Sequence, residues 1–175
     1  VLSDKLAALY HDDSIAEKKA RWVTLGEAQL LLDLAKEHQP AIIFESGTAN
    51  GISSAWLSLS GVPVVTFDPC NRNKVWDKVG INDITYVKDR FSSVDTRYSK
   101  WAGEKKMFFI DGDHSSSGVQ EDCEALKRFA RSGDVVVFHD LNEKPVVRAW
   151  HRLLKFAQTY EKHDTPRIMG VLIWR

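Results

Sequence analysis

Cysteine is scarce in this chain. Cys70 and Cys123 are the only two, so no disulfide framework carries the fold, and a reducing, cytoplasmic setting is expected. Cys123 falls on the apolar face of a helical pattern and reads as packed there. Long apolar runs are missing as well. No stretch approaches the ~20 residues that span a bilayer, and the start carries no signal-peptide pattern. Neither sign of charge is in excess, since 24 Lys plus Arg balance 24 Asp plus Glu. A nucleic-acid surface usually shows a basic surplus, so no nucleic-acid partner is expected. The local groups Lys18, Lys19, Arg21 and Lys100, Lys105, Lys106 read as solvated faces. Also absent are internal repeats, low-complexity tracts, interdomain linkers and the Gly-x-Gly-x-x-Gly fingerprint of dinucleotide-binding folds. What remains, in 175 residues, is one domain (1–175) with a real core.

The pattern along that domain alternates. Residues 1–40 read as an N-terminal helical cap. Leu2, Leu6, Leu9 and Tyr10 form one apolar stripe. A clearer helix starts at a capping box, Thr24 with Glu27, and buries Leu30, Leu31, Leu34 and Ala35 before Pro40 ends it. Apolar strands then follow at 41–45, 62–67, 84–87, 107–110 and 134–138. Helical segments separate them at 52–60, 94–102 and 117–131, the last capped by Ser117 and Gln120. Asn142 and Pro145 open another helix, with Val146, Val147, Trp150 and Leu154 inward. Two strand-like runs, 157–163 and 168–174, close the chain. Strands alternating with helices predict a doubly wound, mostly parallel α/β sheet, and the last pair predicts an antiparallel hairpin at one edge. Ligands bind beyond the carboxyl ends of such strands.

The strand ends carry the chemistry. Strand one ends in Glu45 and runs through Gly47-Thr48-Ala49-Asn50-Gly51 into a helix. Gly47 allows a tight turn, and Gly51 leaves free N–H groups at the helix start. Glu45 opposes a phosphate and suits a ligand with positive charge. Strand two ends in Asp68, which can accept ribose hydroxyls or simply initiate a turn before Pro69. Strand three ends in Lys88-Asp89-Arg90, where Asp89 either meets a ligand or pairs with Arg90 or Lys88. Strand four ends in Asp111-Gly112-Asp113-His114, and Asp113 competes between catalysis and capping the next helix. Strand five ends in His139-Asp140. Acids and histidines converging on one crevice are costly unless a cation or a reaction uses them.

This ordered set resembles a class I S-adenosylmethionine-dependent methyltransferase. The pattern Phe109-Ile110-Asp111-Gly112-Asp113-His114, then a Ser-Gly-Val helix, then His139-Asp140, is similar to the methyltransferase domain 24 family. The resemblance runs from about residue 24 to the C-terminus and includes the last strand, Gly170 to Trp174. It implies a Rossmann-like seven-stranded sheet in the order 3-2-1-4-5-7-6. It also implies that Glu45, Gly47, Thr48, Asn50 and Gly51 cradle the methionine part of S-adenosylmethionine, with Glu45 facing its ammonium. Asp68 then holds the ribose, Asp89 and Arg90 lie near the adenine, and Asp111 closes the site. In related metal-dependent O-methyltransferases, the positions of Asp111, His139 and Asp140 hold a divalent cation and that of His114 supplies the base. Asp113 stands beside it as a second catalytic candidate.

Two departures from the family pattern bear on chemistry. Ala49 takes a position often held by glycine, and His139 replaces a usual acid. Mg²⁺ prefers oxygen ligands, so a set containing His139 favours Mn²⁺, Fe²⁺ or Zn²⁺. The expected activity is O-methylation of a small hydroxylated molecule; N-methylation stays open. The rival readings are a nicotinamide oxidoreductase on a similar sheet and a non-catalytic cofactor-binding domain. No lid domain is inserted, so the N-terminal helices, the loop near 69–83 or a second subunit of a homo-oligomer must cover the acceptor.

Overall fold

A computed structural model describes residues 1–11, 22–70, 72 and 74–175. Seven strands form one sheet: β1 (Ile42–Ser46), β2 (Val64–Phe67), β3 (Ile84–Val87), β4 (Lys106–Ile110), β5 (Val135–Phe138), β6 (Ala157–His163) and β7 (Met169–Trp174). Their order is β3-β2-β1-β4-β5-β7-β6. The first five strands run parallel. β7 lies antiparallel to both β5 and β6, forming the expected terminal hairpin. Each residue of β1, β2, β4 and β5 is buried. Helices cover both faces of these central strands, which is why they read as unbroken apolar runs rather than alternating ones.

Among the described residues the helices are α1 (Leu2–Leu9), α2 (Leu25–His38), α3 (Ile52–Ser58), α4 (Val75–Val79), α5 (Val94–Arg97), α6 (Ser116–Phe129) and α7 (Lys144–Leu153). One core layer joins α1, α2 and α3 to the sheet through Leu6, Leu31, Trp56, Met107 and Val137. The other joins α6 and α7 to the opposite face through Phe44, Phe108, Phe129 and Trp150. The sheet order reverses direction between β1 and β4, and this opens a crevice at their carboxyl ends.

Several local expectations change. The cap of α6 is Ser115, whose hydroxyl accepts the Gly118 N–H at 3.0 Å, not Ser117 with Gln120. Segment 69–83 contains α4, and the 94–102 helix is a single turn flanked by 3₁₀ turns at 91–93 and 99–101. On α7 the buried positions are Val146, Ala149, Trp150 and Leu153; Val147 and Leu154 lie at the rim. Leu2 is 40% exposed and leaves the α1 stripe. Of the N-terminal cap, α1 and α2 are described and pack against α3. The Lys18, Lys19, Arg21 group lies outside the described residues.

Candidate active site

The β1–α3 loop is shaped by two close approaches. Gly47 has φ +94°, and a Cβ there would stand 2.1 Å from the Asp111 carbonyl oxygen at the end of β4. Gly51 has φ +78°, and its Cβ would meet the Trp76 ring of α4 at 2.0 Å. The first glycine lets two strand ends touch and the second seats α4. Ala49 is also left-handed, at φ 44°. Its N–H donates to Asp68 Oδ2 at 2.8 Å, and its carbonyl accepts from Lys74 Nζ at 2.9 Å. The Thr48 and Thr66 hydroxyls bond to each other at 2.7 Å beneath the loop.

Residues 46–53 of this loop line one wall of a cavity of about 760 Å³, within the range of small-molecule sites. Its other walls include Asp68, Arg90, Phe91, Asp111, Asp113, His114 and Asp140. Glu45 is placed behind the loop. It is fully buried, and both its oxygens accept hydroxyl hydrogen bonds from Ser53 and Ser54. Burial pushes its carboxyl up to about 7 despite those bonds. Ser53 reaches the cavity and Glu45 does not.

Asp68 stands at the cavity edge. Its second oxygen accepts the Cys70 N–H at 2.7 Å, so it ties the glycine loop to the β2–α4 segment. A carboxylate with two backbone donors keeps lone pairs for two more. Asp89 is outside the cavity lining; it accepts from Arg97 Nη2 and from the Arg90 N–H, each at 2.8 Å. Its ion-pair partner is Arg97 rather than the expected Arg90 or Lys88. Arg90 lines the cavity, with Nη1 3.4 Å from Glu121. Asp113 accepts the Ser115 N–H at 2.9 Å in a turn ahead of the α6 cap.

The acids and histidines of β4 and β5 do converge. His139 Nδ1 stands 3.1 Å from both Asp111 Oδ1 and Asp140 Oδ2. His114 Nε2 stands 3.4 Å from the same two oxygens. Asp140 holds this place in a left-handed conformation, φ 57°, a strain typical of functional positions. One ligand atom each from Asp111, His139 and Asp140 lies within 4.8 Å of the others. Adjacent ligands of a six-coordinate ion with ~2.1 Å bonds sit roughly 3 Å apart, so the 3.1 Å spacings fit a divalent cation. Two carboxylates and an imidazole suit Mn²⁺, Fe²⁺ or Zn²⁺ as donor chemistry.

Sequence reading missed one member of this cluster. Glu27, recognised only as a cap, is fully buried, with Oε2 3.3 Å from His139 Nε2. It does close the capping box, and its Oε1 accepts the Arg167 N–H at 3.1 Å. Burial opposes its ionisation, but His139 and Thr24 bonds hold it at about 2. Burial likewise pulls the His139 ring down, yet Asp111, Asp140 and Glu27 outweigh this and raise it to about 11. The hydrogen bond to Asp111 raises His114. Two more lining residues went unread. Asp122 is buried on α6, accepts from Ser46 Oγ at 2.7 Å, and is pushed up to about 7 by burial. Trp22 flanks the cavity with its indole N–H unpaired among the described residues. A buried acid in mid-helix was the one signal that could have flagged Asp122.

Among solved structures, the chain resembles a methyltransferase from Geobacter sulfurreducens, at 17% identity and TM-score 0.72, over 97% of this chain and 88% of that one. It resembles an O-methyltransferase from Bacillus cereus, solved with S-adenosylhomocysteine, at 17% identity and TM-score 0.68, over 98% and 90%. An O-methyltransferase of tomaymycin synthesis from Streptomyces achromogenes, solved with S-adenosylmethionine, is 20% identical at TM-score 0.71, over 99% and 90%. At these identities the likeness is one of fold. No curated protein matches the sequence. Residues 44–141, more than half of the chain, match the family described as a methyltransferase domain. This segment holds the glycine loop, Asp68, the Asp111–His114 turn and the His139-Asp140 pair, and the chain belongs to that family as a class I S-adenosylmethionine-dependent methyltransferase.

Proposed function

We propose that this enzyme O-methylates a small hydroxylated molecule, with a divalent cation at Asp111, His139 and Asp140. The single observation that carries the reading is the meeting of His114 Nε2 and His139 Nδ1 on the same two carboxylate oxygens at the cavity wall. The cofactor supplies an electrophilic methyl on a sulfonium. A bound divalent ion supplies Lewis acidity that lowers the pKa of an acceptor hydroxyl.

The chain's own residues do the rest. Loop 46–53, with Gly47, Thr48, Asn50 and Gly51, holds the methionine end, and Glu45 acts from behind it through Ser53 and Ser54. Asp68 receives the ribose hydroxyls on its remaining lone pairs. Arg90 flanks the adenine, and Asp89 serves it indirectly by fixing the Arg90 backbone. Alignment of acceptor and methyl is the main demand of an in-line displacement. His114, about a third exposed at the cavity, accepts the hydroxyl proton on its imidazole. Asp113 orients the turn that carries it.

One observation favours a metal-free version. With both ring nitrogens protonated, His139 is itself a cation, its Nδ1 facing Asp111 and Asp140 and its Nε2 facing Glu27. Methyl transfer from labelled cofactor to a panel of small hydroxylated acceptors separates the two. Chelator should stop turnover, and Mn²⁺ or Mg²⁺ should restore it. Full turnover in chelator, with no ion found by elemental analysis, excludes the metal. Methyl incorporation only into amines excludes O-methylation.

A further inference from the structure

We infer that Glu27 is a positioning residue for the cation centre, fixing the proton of His139 on Nε2 so that Nδ1 is presented as a ligand. The inference rests on the metal reading above. A histidine ring ligates through a nitrogen that carries no proton, so the ring's one remaining proton must sit on the other nitrogen. Nδ1 is the nitrogen placed 3.1 Å from both Asp111 and Asp140. Nε2 points the other way, into a fully buried space where Glu27 Oε2 stands 3.3 Å off. The contact is an ion-pair approach rather than an aligned hydrogen bond, and Nε2 has no hydrogen-bond partner among the described residues. A carboxylate behind a ligating histidine orients the ring and raises its basicity.

Capping alone does not account for this placement. A capping box works with Glu or Gln and needs only one side-chain oxygen. Here Oε2 takes the Thr24 N–H at 2.7 Å and faces the imidazole, while Oε1 takes the Arg167 N–H at 3.1 Å. Burying a carboxylate completely is costly without such partners. Both residue 27 and residue 167 lie outside the segment that matches the family. The start of α2 and the approach to β7 thus reach the cation centre from behind, through one carboxylate.

The test is Mn²⁺ titration of wild type, Glu27→Gln and Thr24→Ala by calorimetry, with thermal melts of each. Gln keeps the capping box but removes the charge behind His139, so Mn²⁺ affinity should fall about 10–100-fold. Thr24→Ala should lower the melting temperature while leaving affinity within about twofold. Equal affinity of wild type and Glu27→Gln overturns the positioning role with the metal site intact. No Mn²⁺ uptake by wild type overturns the metal reading, and this inference with it. Should Glu27→Gln not fold, ¹⁵N imidazole shifts of wild type loaded with Zn²⁺ decide the matter. A proton on Nε2 of His139 supports the role, and a proton on Nδ1 overturns it.

Discussion

Replacing Gly47 with alanine should damage this enzyme for a reason that separates geometry from ligand contact. The new Cβ would sit 2.1 Å from the Asp111 carbonyl oxygen and 2.8 Å from Gly112 Cα, with φ at +94°. Both neighbours are backbone, so neither can swing aside. Gly61 supplies the matched control, since its φ is +79° and a Cβ there meets nothing within 4 Å. Gly61→Ala carries only the left-handed penalty of about 1–2 kcal/mol. Gly47→Ala adds overpacking of about 1–3 kcal/mol, giving about 2–5 kcal/mol in total. In a domain of this size each kcal/mol lowers the melting temperature by about 2–4 °C. Thermal melts of both variants should therefore differ, with Gly47→Ala clearly lower. Calorimetry should also show weaker S-adenosylhomocysteine binding only in Gly47→Ala, because the strand end bearing Asp111 must shift. Equal melting temperatures, or unchanged cofactor affinity in Gly47→Ala, would refute the close approach as the reason for this glycine.

Three further outcomes are expected. Asp68→Ala should weaken S-adenosylhomocysteine binding by about 1–3 kcal/mol, read by calorimetry; unchanged affinity would leave Asp68 as a turn residue alone. Asp122, raised to about 7 from 3.8, binds its proton more tightly folded than unfolded, so its contribution to stability declines as pH rises from about 4 to about 7. Asp122→Asn should remove that decline, and melts across this window should show the variant gaining on wild type as pH rises; parallel curves would deny the shift. His114→Ala should lower methyl transfer while Mn²⁺ binding persists, and full activity in that variant would remove the base assignment.

The sheet was legible because parallel strands buried on both faces must be continuous apolar runs, and the turns between them carry glycine and acid. α4 escaped because its five residues, Val75–Val79, are too few to show a helical period. The Ser115 cap was misplaced because three serines stand in a row at 115–117 and only packing chooses among them. Asp111, His114, His139 and Asp140 were legible as a group, since consecutive parallel strand ends had to meet. Glu27 was not, because its capping motif explained it completely at short range. Its contact with His139 spans 112 positions and arises only when α2 docks beside β5. Glu45 illustrates the opposite case. Its strand-end position was right, but the serines at 53 and 54 that enclose it could be assigned to it only in three dimensions.

The most direct measurement is calorimetric titration of wild-type protein with S-adenosylhomocysteine and, separately, with NAD. Saturable binding of one S-adenosylhomocysteine per chain, with no heat from NAD, is the expected result. Binding of NAD, or no binding of S-adenosylhomocysteine, would contradict the assignment of the cavity beneath residues 46–53 to the methyl donor.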